Sequence, residues 1–296
     1  MNIHYMNCGT FCPAGRLLVN GKGSPFASGR LSCLSMLVEA GDGLILVDTG
    51  LGTMDVKHPH GRIPGGIWRL LNRPVLDESE TAIHQIRELG YSPMDVRHIV
   101  LTHLDFDHAG GLSDFPEAKV HVFAPEHQQA MSRPSRMDRV RYSPSQFAHL
   151  PDWVILQEEG EKWRGFGSVR ALPGTPEVLL IPLARHSRGH CGVAVSTDAG
   201  WVLNAGDAYF HHAELKEDGR RCPPGLRAYE NIFQYDRVQR LANLDRLREF
   251  ARVAGPEIKI VCSHDPVYID EAAKSGEETL GQNKAPGASA PGALIA

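Results

Sequence analysis

The spacing of apolar and polar positions in the first third of the chain predicts a strand-strand-helix-strand order. Residues 33–39 and 43–48 are short runs rich in aliphatic residues, and the turn-forming Ala-Gly-Asp between them favours a tight connection between two strands. Over 78–89 the apolar positions recur at helical spacing and a glycine follows, which predicts an amphipathic helix. A buried strand is predicted at 97–102.

The remainder of the chain continues this alternation of short apolar runs and helical segments. Further strands are predicted at 119–123, 153–157, 178–183, 191–197, 201–205 and 258–262, with a short helix starting at Ala124-Pro125. A long helix is predicted over 236–252, with an apolar stripe made of Val238, Leu241, Leu244, Leu247 and Phe250.

Two β-rich halves, each closed by helices, predict an α/β fold in which two mixed sheets pack face to face with helices outside, an αββα sandwich. No long linker interrupts residues 1–272, so we expect them to form a single domain. From about Ala273 the chain is rich in Gly, Ser, Pro, Ala and Gln without periodicity, and residues 273–296 are predicted to be a disordered tail.

Composition narrows the classes of partner. The 296 residues are 42% hydrophobic and 22% charged, as in ordinary globular proteins, and the net charge is -4. Clustered positive charge is what nucleic acids and anionic membranes require, so we expect neither as a partner and expect a small-molecule substrate instead. The chain has no secretory-type start and no run approaching about 18–20 apolar residues, so a cytoplasmic protein is expected. The sequence leaves open whether the protein forms a homodimer.

One short segment concentrates groups that bind metal ions. Within His103-Leu104-Asp105-Phe106-Asp107-His108, four side chains can ligate a divalent metal, and two glycines that permit tight turning follow shortly after. The alternative for this segment taken alone is a helix cap with Asp105 or Asp107 at the N-cap position. Both interpretations place the segment directly after the strand predicted at 97–102.

Three further candidate ligands stand at or near predicted strand ends, namely His186, Asp207 and His264, and Asp48 ends the strand predicted at 43–48. Their order along the chain resembles the metallo-β-lactamase superfamily, and the resemblance covers nearly all of residues 30–268. Within it, the segments LTHLDFDHAGGL, HSRGH, GDAY and SHD are most similar to the N-acyl-homoserine-lactone lactonases. The resemblance implies the αββα fold and a metal-dependent hydrolase.

The resemblance also implies a ligand set for two divalent metal ions, with zinc expected. One ion would be held by His103, Asp105 and His186. The other would be held by Asp107, His108 and His264, with Asp207 bridging the two ions. His190 and Asp48 would support these ligands from behind without binding metal.

Asp105 departs from the family pattern, because most relatives carry a histidine there. A carboxylate is a harder ligand than an imidazole, so Mn²⁺ or Fe²⁺ become alternatives to Zn²⁺, and Asp105→His is expected to restore a more ordinary zinc site. An aspartate at this position is also similar to the metallo-β-lactamase domains of DNA-uptake proteins, which keeps phosphodiester chemistry as an alternative. The acidic isoelectric point, near 6.4, argues against it.

Two adjacent divalent ions can activate a bridging water and polarise a carbonyl, so no Ser or Cys nucleophile is needed. Asp107 is expected to exchange a proton with the nucleophilic water or the leaving group. In the lactonases a tyrosine that contacts the substrate lies three positions after the bridging Asp, where this chain has Phe210. Tyr209 is therefore a candidate for that catalytic role, and a buried core residue is the equal alternative.

The segment 51–76 carries Trp68 among other apolar residues, and it is either a lid or acyl-chain wall over the metals or an ordinary surface loop. The leading functional hypothesis is hydrolysis of a lactone, as in quorum quenching, or of another carboxylic ester. Thioester, arylester, β-lactam and phosphoester hydrolysis on the same site are the alternatives. A further alternative is a regulatory protein with a degenerate metal site, which the departure from the family pattern at Asp105 motivates.

Overall fold

The computed structural model describes residues 1–184, 186–216, 222–275 and 279–280. Its strands are β1 Ile3–Phe11, β2 Leu31–Ala40, β3 Gly43–Val47, β4 Pro74–Val75, β5 Val96–Val100, β6 Lys119–Phe123, β7 Asp152–Leu156, β8 Glu161–Trp163, β9 Phe166–Leu172, β10 Thr175–Pro182, β11 Cys191–Thr197, β12 Gly200–Asn204, β13 Ile258–Val261 and β14 Thr279–Leu280. Its helices are α1 Arg16–Asn20, α2 Thr53–Lys57, α3 Gly66–Asn72, α4 Ala82–Glu88, α5 Phe106–Ala109, α6 Ala124–Ser132, α7 Arg136–Arg141, α8 Pro224–Phe233, α9 Arg237–Ala254 and α10 Val267–Ser275. Within the described ranges, no helix has the length and apolar character needed to span a bilayer.

The strands form two mixed sheets. The first has the order β14-β1-β2-β3-β5-β6-β7, with β4 paired to β1, and its β3-β5-β6-β7 portion is parallel. The second has the order β13-β12-β11-β10-β9-β8 and is antiparallel except for the β12-β13 pair. Two mixed sheets with flanking helices confirm the predicted αββα sandwich.

Strand β2 shows how the layers are held together. Leu34, Met36 and Val38 belong to the core cluster that also contains apolar side chains of β10 and β11 in the second sheet. Leu37 points to the other face and packs in the cluster that contains Ile86 of α4. Because both faces of β2 are buried, its sequence is almost continuously apolar rather than alternating.

Some elements differ from the sequence prediction. The N-terminal strand β1 was not predicted, because its buried polar residues interrupt the apolar pattern. Helix α9 lies where expected, but only the later part of its apolar stripe is used. Leu244, Leu247 and Phe250 are buried in the core, whereas Val238 is 78% exposed because the first turns of α9 lie outside that core.

The predicted boundary at residue 272 falls inside α10, which continues to Ser275. Thr279 and Leu280 then pair in parallel with Tyr5 and Met6 of β1. The ordered elements therefore extend beyond the predicted start of the tail. The rest of the predicted tail, residues 276–278 and 281–296, lies outside the described residues.

Candidate metal centre

The candidate ligands lie on loops that follow the carboxyl ends of four strands. His103, Asp105, Asp107 and His108 come after β5, and helix α5 begins inside this segment. His186 follows β10, Asp207 follows β12 and His264 follows β13. Strands from both sheets thus contribute to one cluster at one edge of the sandwich.

Asp207 occupies the centre of this cluster. Its Oδ2 lies 3.2 Å from His264 Nε2, 3.5 Å from His186 Nε2 and 3.8 Å from His103 Nε2. Its Oδ1 lies 3.4 Å from His108 Nε2. One carboxylate therefore faces imidazoles of both implied metal sites.

The two remaining carboxylates contact different histidines. Asp105 Oδ2 is 3.2 Å from His186 Nε2 and 3.4 Å from His103 Nε2. Asp107 Oδ2 is 3.7 Å from His264 Nε2. The structure thus brings together all seven residues named from the sequence as metal ligands.

The chemistry of the donor set fits divalent metal ions. His103 Nε2, His108 Nε2 and Asp207 Oδ1 are buried and have no hydrogen-bond partner within the described part of the chain. Buried polar atoms are usually paired, so three unpartnered atoms that meet in one cluster fit a site for a ligand such as a metal ion. Imidazole nitrogens and carboxylate oxygens are ligands of Zn²⁺, Mn²⁺ and Fe²⁺.

Hydrogen bonds on the far side of three rings fix which nitrogen faces the cluster. The Nδ1 of His108 lies 3.0 Å from Asp48 Oδ2, and that of His264 lies 2.7 Å from the Ser32 carbonyl oxygen. The Nδ1 of His103 lies 3.0 Å from the hydroxyl of Thr102. If each Nδ1 carries the proton, each Nε2 keeps its lone pair for a metal ion.

Asp48 lies behind the ligands rather than among them. Its carboxylate accepts hydrogen bonds from the Thr102 backbone N–H and hydroxyl, both at 2.8 Å, in addition to its contact with His108. Its φ of 55° is unfavourable for a residue with a side chain, and such strain concentrates at functional sites. The strained turn directs Asp48 toward the start of the ligand segment.

His190 also supports the centre from behind. Its Nε2 accepts from the Asp207 backbone N–H at 2.9 Å, and its Nδ1 lies 3.0 Å from the Leu183 carbonyl oxygen. Burial lowers the pKa of His190 to about 3, so the ring is neutral. Gly206, with φ 54°, permits this contact because a Cβ there would lie 2.6 Å from His190 Nε2. His190 therefore positions Asp207.

Glu126 of α6 joins the two main ligand loops, and the sequence analysis did not predict this role. Its Oε1 accepts from the Leu104 N–H at 3.0 Å and the Tyr142 hydroxyl at 3.2 Å. Its Oε2 accepts from the Ser187 hydroxyl at 2.5 Å and the Gly189 N–H at 3.1 Å. One buried carboxylate thus holds the loop of His103 against the loop of His186.

Arg141, the last residue of α7, pairs with Asp105 through two hydrogen bonds. Its Nε donates to Oδ1 at 2.8 Å and its Nη2 donates to Oδ2 at 2.7 Å. Its Nη1 donates to the carbonyl oxygens of His186 and Phe233. Burial acts to raise the pKa of Asp105, but the guanidinium, together with His103, holds it well below its usual range. Asp105 is therefore ionised.

Cys33 is a further residue that the sequence analysis did not connect with the site. Its Sγ and one ligand atom each of Asp107 and His264 all lie within 4.8 Å of one another. Burial raises the pKa of the Cys33 thiol well above its usual value, and the nearby Asp107 acts in the same direction. The thiol is therefore protonated beside the second group of ligands.

A narrow opening leads to the ligands between α3, α7 and α8. Its lining comprises Pro64, Trp68, Asp105, Phe106, Asp107, Val140, Arg141, His186, Asp207, Tyr229, Phe233 and His264. Apolar and aromatic side chains therefore form the outer walls, and the ligands form the floor. A substrate must pass the walls to reach the metal centre.

The structure does not bring Tyr209 to this opening. Its side chain is fully buried in the core, and its hydroxyl lies 2.9 Å from that of Tyr268, so the candidate catalytic role is not supported. The next residue, Phe210, stacks on His264 with ring centroids 5.1 Å apart. A strand-end turn thus directs position 210, rather than 209, toward the ligands.

The tyrosine that lines the opening is Tyr229 of α8. Trp68 lines the same opening. Burial raises the pKa of Tyr229, and nearby Asp107 and Asp105 raise it further, so the phenol keeps its proton. Tyr229 and Phe233 are four positions apart on α8, and the centroids of their rings lie 4.4 Å apart. This helical spacing of two aromatic residues was the sequence signal that could have indicated an aromatic wall.

The segment 51–76 is anchored at two places. Arg62 donates to Asp55 Oδ1 at 2.7 Å and to the Gly110 carbonyl oxygen at 3.2 Å, which ties the segment to the end of the ligand motif. Trp68 packs edge-to-face on Phe106, with ring centroids 5.1 Å apart. The segment therefore forms a fixed wall of the opening.

Comparisons with known proteins agree with this geometry. The sequence model of the metallo-beta-lactamase superfamily matches residues 28–258. A probable metallo-hydrolase of Mycobacterium tuberculosis is 45% identical over 269 residues, which cover 90% of this chain and 81% of that protein. An N-acyl homoserine lactonase of Bacillus thuringiensis is 28% identical over 214 residues, covering 70% of this chain and 78% of the lactonase.

One similar solved structure is an N-acyl homoserine lactone hydrolase with the product N-hexanoyl-L-homoserine bound at its catalytic metal center. It superimposes with a TM-score of 0.68 at 24% identity, covering 92% of this chain and 97% of that one.

Proposed function

The chain belongs to the metallo-beta-lactamase superfamily and is a metallo-hydrolase, and from this premise we propose that it uses two divalent metal ions to hydrolyse a lactone or another carboxylic ester. The observation that carries the proposal is the cluster of six His and Asp side chains around Asp207. Relatives named as N-acyl homoserine lactonases make lactones the first substrate class to test.

Two metal ions are proposed because the ligands fall into two groups. His103, Asp105 and His186 place one ligand atom each within 4.8 Å of one another. Asp107 and His264 form a second group, with Asp107 Oδ2 at 3.7 Å from His264 Nε2, and His108 faces Asp207 Oδ1. Divalent ions bound there would supply Lewis acidity and acidify bound water.

Asp107 is the proposed proton acceptor and donor of the reaction. It lines the opening together with the other candidate ligands Asp105, His186, Asp207 and His264. A carboxylate at that place can take a proton from the attacking water and return it to the leaving alcohol. Its contact with His264 holds it at the floor of the opening.

Tyr229 is the proposed donor to the substrate carbonyl oxygen. Its phenol keeps its proton, and Tyr229 is among the residues that line the opening. Negative charge develops on the carbonyl oxygen during ester hydrolysis, and a fixed donor stabilises that charge. In the lactonases this hydroxyl comes from the position that Phe210 occupies here. Tyr229 would supply it from helix α8 instead.

The walls favour an uncharged, partly apolar substrate. Trp68, Val140 and Phe233 line the opening. On α3, the helix that carries Trp68, Ile67 and Leu70 are 68% and 65% exposed and offer an apolar surface beyond the opening. An acyl chain can lie on such a surface, whereas the net charge of -4 provides no overall attraction for a polyanion.

The first experiment is the metal content of freshly purified chain, measured by elemental analysis without chelators. Close to two equivalents of zinc, manganese or iron per chain is the expected result. One equivalent or less, unchanged after incubation with metal, would rule out the dinuclear site. Asp207→Ala is expected to lose both metal and turnover, with the surface change Asp198→Ala as its control.

The second experiment identifies the substrate class. The metal-loaded protein is assayed with N-acyl homoserine lactones of increasing chain length, an arylester, a thioester, a β-lactam and a phosphodiester. Lactone turnover that improves with chain length, without phosphodiester cleavage, is expected. Faster cleavage of any other class would reassign the substrate while leaving the metal centre in place.

A further inference from the structure

The contact between Arg141 and Asp105 places a permanent positive charge directly against a proposed metal ligand. Both carboxylate oxygens accept from the guanidinium at 2.7–2.8 Å, and both residues are largely buried. A guanidinium does not lose its proton in proteins, so this charge is present at every relevant pH.

We propose that Arg141 and Asp105 act as one neutral metal-ligand unit, an inference that rests on the proposed metal-binding function. The carboxylate adds one negative charge that a histidine in its place would not bring. The guanidinium adds one positive charge and cancels it. The first metal site therefore has the same overall charge as a site with histidine at position 105, although its ligand atom is an oxygen.

The geometry allows Asp105 to serve both partners. Each carboxylate oxygen has two lone pairs, and Arg141 uses one on each. Oδ2 also lies 3.2 Å from His186 Nε2 and 3.4 Å from His103 Nε2, so it faces the proposed metal position while the guanidinium lies against its other side. Arg141 therefore acts as a positioning residue for Asp105 and does not occupy the proposed metal position.

Arg141 is also held in place independently of Asp105. Its Nη1 donates to the His186 carbonyl oxygen at 2.9 Å and to the Phe233 carbonyl oxygen at 3.2 Å. If Asp105 were replaced, the guanidinium would remain near the metal site without an anion. A buried cation beside a divalent cation is strongly unfavourable.

This arrangement reverses the expectation from the sequence alone that Asp105→His restores an ordinary zinc site. The single change should weaken zinc binding, because it leaves Arg141 unpaired. The double change Asp105→His/Arg141→Met removes both charges together and should recover binding. The sign of the effect of Arg141→Met therefore depends on which residue stands at position 105.

The test measures zinc affinity of the full chain by competition with a chromophoric chelator, with circular dichroism to verify folding. Asp105→His is expected to bind zinc at least about tenfold more weakly than the native chain. Asp105→His/Arg141→Met is expected to bind within about threefold of the native chain. Asp105→His/Arg141→Lys keeps the positive charge and should remain weak, which separates charge from side-chain packing.

Native affinity in Asp105→His, with no gain from adding Arg141→Met, would overturn the inference. Equal recovery by the Lys and Met double variants would also overturn it, because the charge would then be irrelevant. A native chain that binds no zinc, manganese or iron would contradict the proposed function itself. Metal binding without turnover of any ester would contradict only the substrate assignment, and the affinity comparison would still decide the role of Arg141.

Discussion

Replacing Glu126 with glutamine should destabilise the protein, because this carboxylate accepts hydrogen bonds on both oxygens from groups that include two backbone N–H donors. One N–H belongs to Leu104 and the other to Gly189, at 3.0 Å and 3.1 Å. A glutamine presents only one acceptor oxygen, so its NH₂ group must face one of these donors. The hydroxyls of Tyr142 and Ser187 can rotate to accept, but a backbone N–H cannot.

The magnitude follows from the single donor left unpaired. A buried N–H without a partner costs about 1–3 kcal/mol, so Glu126→Gln should lower the free energy of unfolding by about that amount. The melting temperature should fall by about 2–4 °C for each kcal/mol in a chain of roughly this size. The loops of His103 and His186 should loosen together, because Glu126 is bonded to both.

The assay is urea unfolding followed by circular dichroism, on metal-free protein, so that metal affinity does not enter. Glu117→Gln, the same chemical change at an exposed position, is the control and should stay within about 0.5 kcal/mol of the native chain. Burial raises the pKa of Glu126. Equal unfolding free energies for the two variants would mean that Glu126 is already protonated in the native protein, and would refute the network as described.

Three other predictions follow from single contacts. Tyr229→Phe should lower kcat/KM for the best ester about 10²-fold without changing metal content, and unchanged turnover would exclude contact with the substrate. Burial lowers the pKa of His121 to about 4. As the pH falls from 6.5, His121 therefore binds a proton in the unfolded chain but stays neutral in the folded chain. Stability should therefore drop by about 2–3 kcal/mol between pH 6.5 and 4, a loss that His121→Gln should reduce in urea titrations; an identical slope would refute this. Arg62→Met should cost about 3–5 kcal/mol by leaving the buried Asp55 without its counter-ion, compared with Arg97→Met as exposed control, and equal unfolding curves would show that the pair is not stabilising.

Local pattern determined the architecture and indicated the candidate metal ligands. Short apolar runs located most strands of both sheets, because a strand buried on both faces must be apolar along its length. The ligands could be named from the sequence because His103, Asp105, Asp107 and His108 are close neighbours in the chain. The other three, though remote in sequence, each follow a strand, and strand ends meet at one edge of the sandwich.

Contacts between distant segments could be decided only by the tertiary structure. Arg141 and Glu126 carry no local signal, since each acts through partners from other elements. The choice between Tyr209 and Tyr229 depended on the turn that follows β12 and on where α8 packs. The sequence was enough to recognise Asp105 as a departure from the family pattern. Only the structure showed that Arg141 balances its negative charge. Chain periodicity reports which face of an element is buried, whereas a charge pair between elements exists only once those elements have packed together.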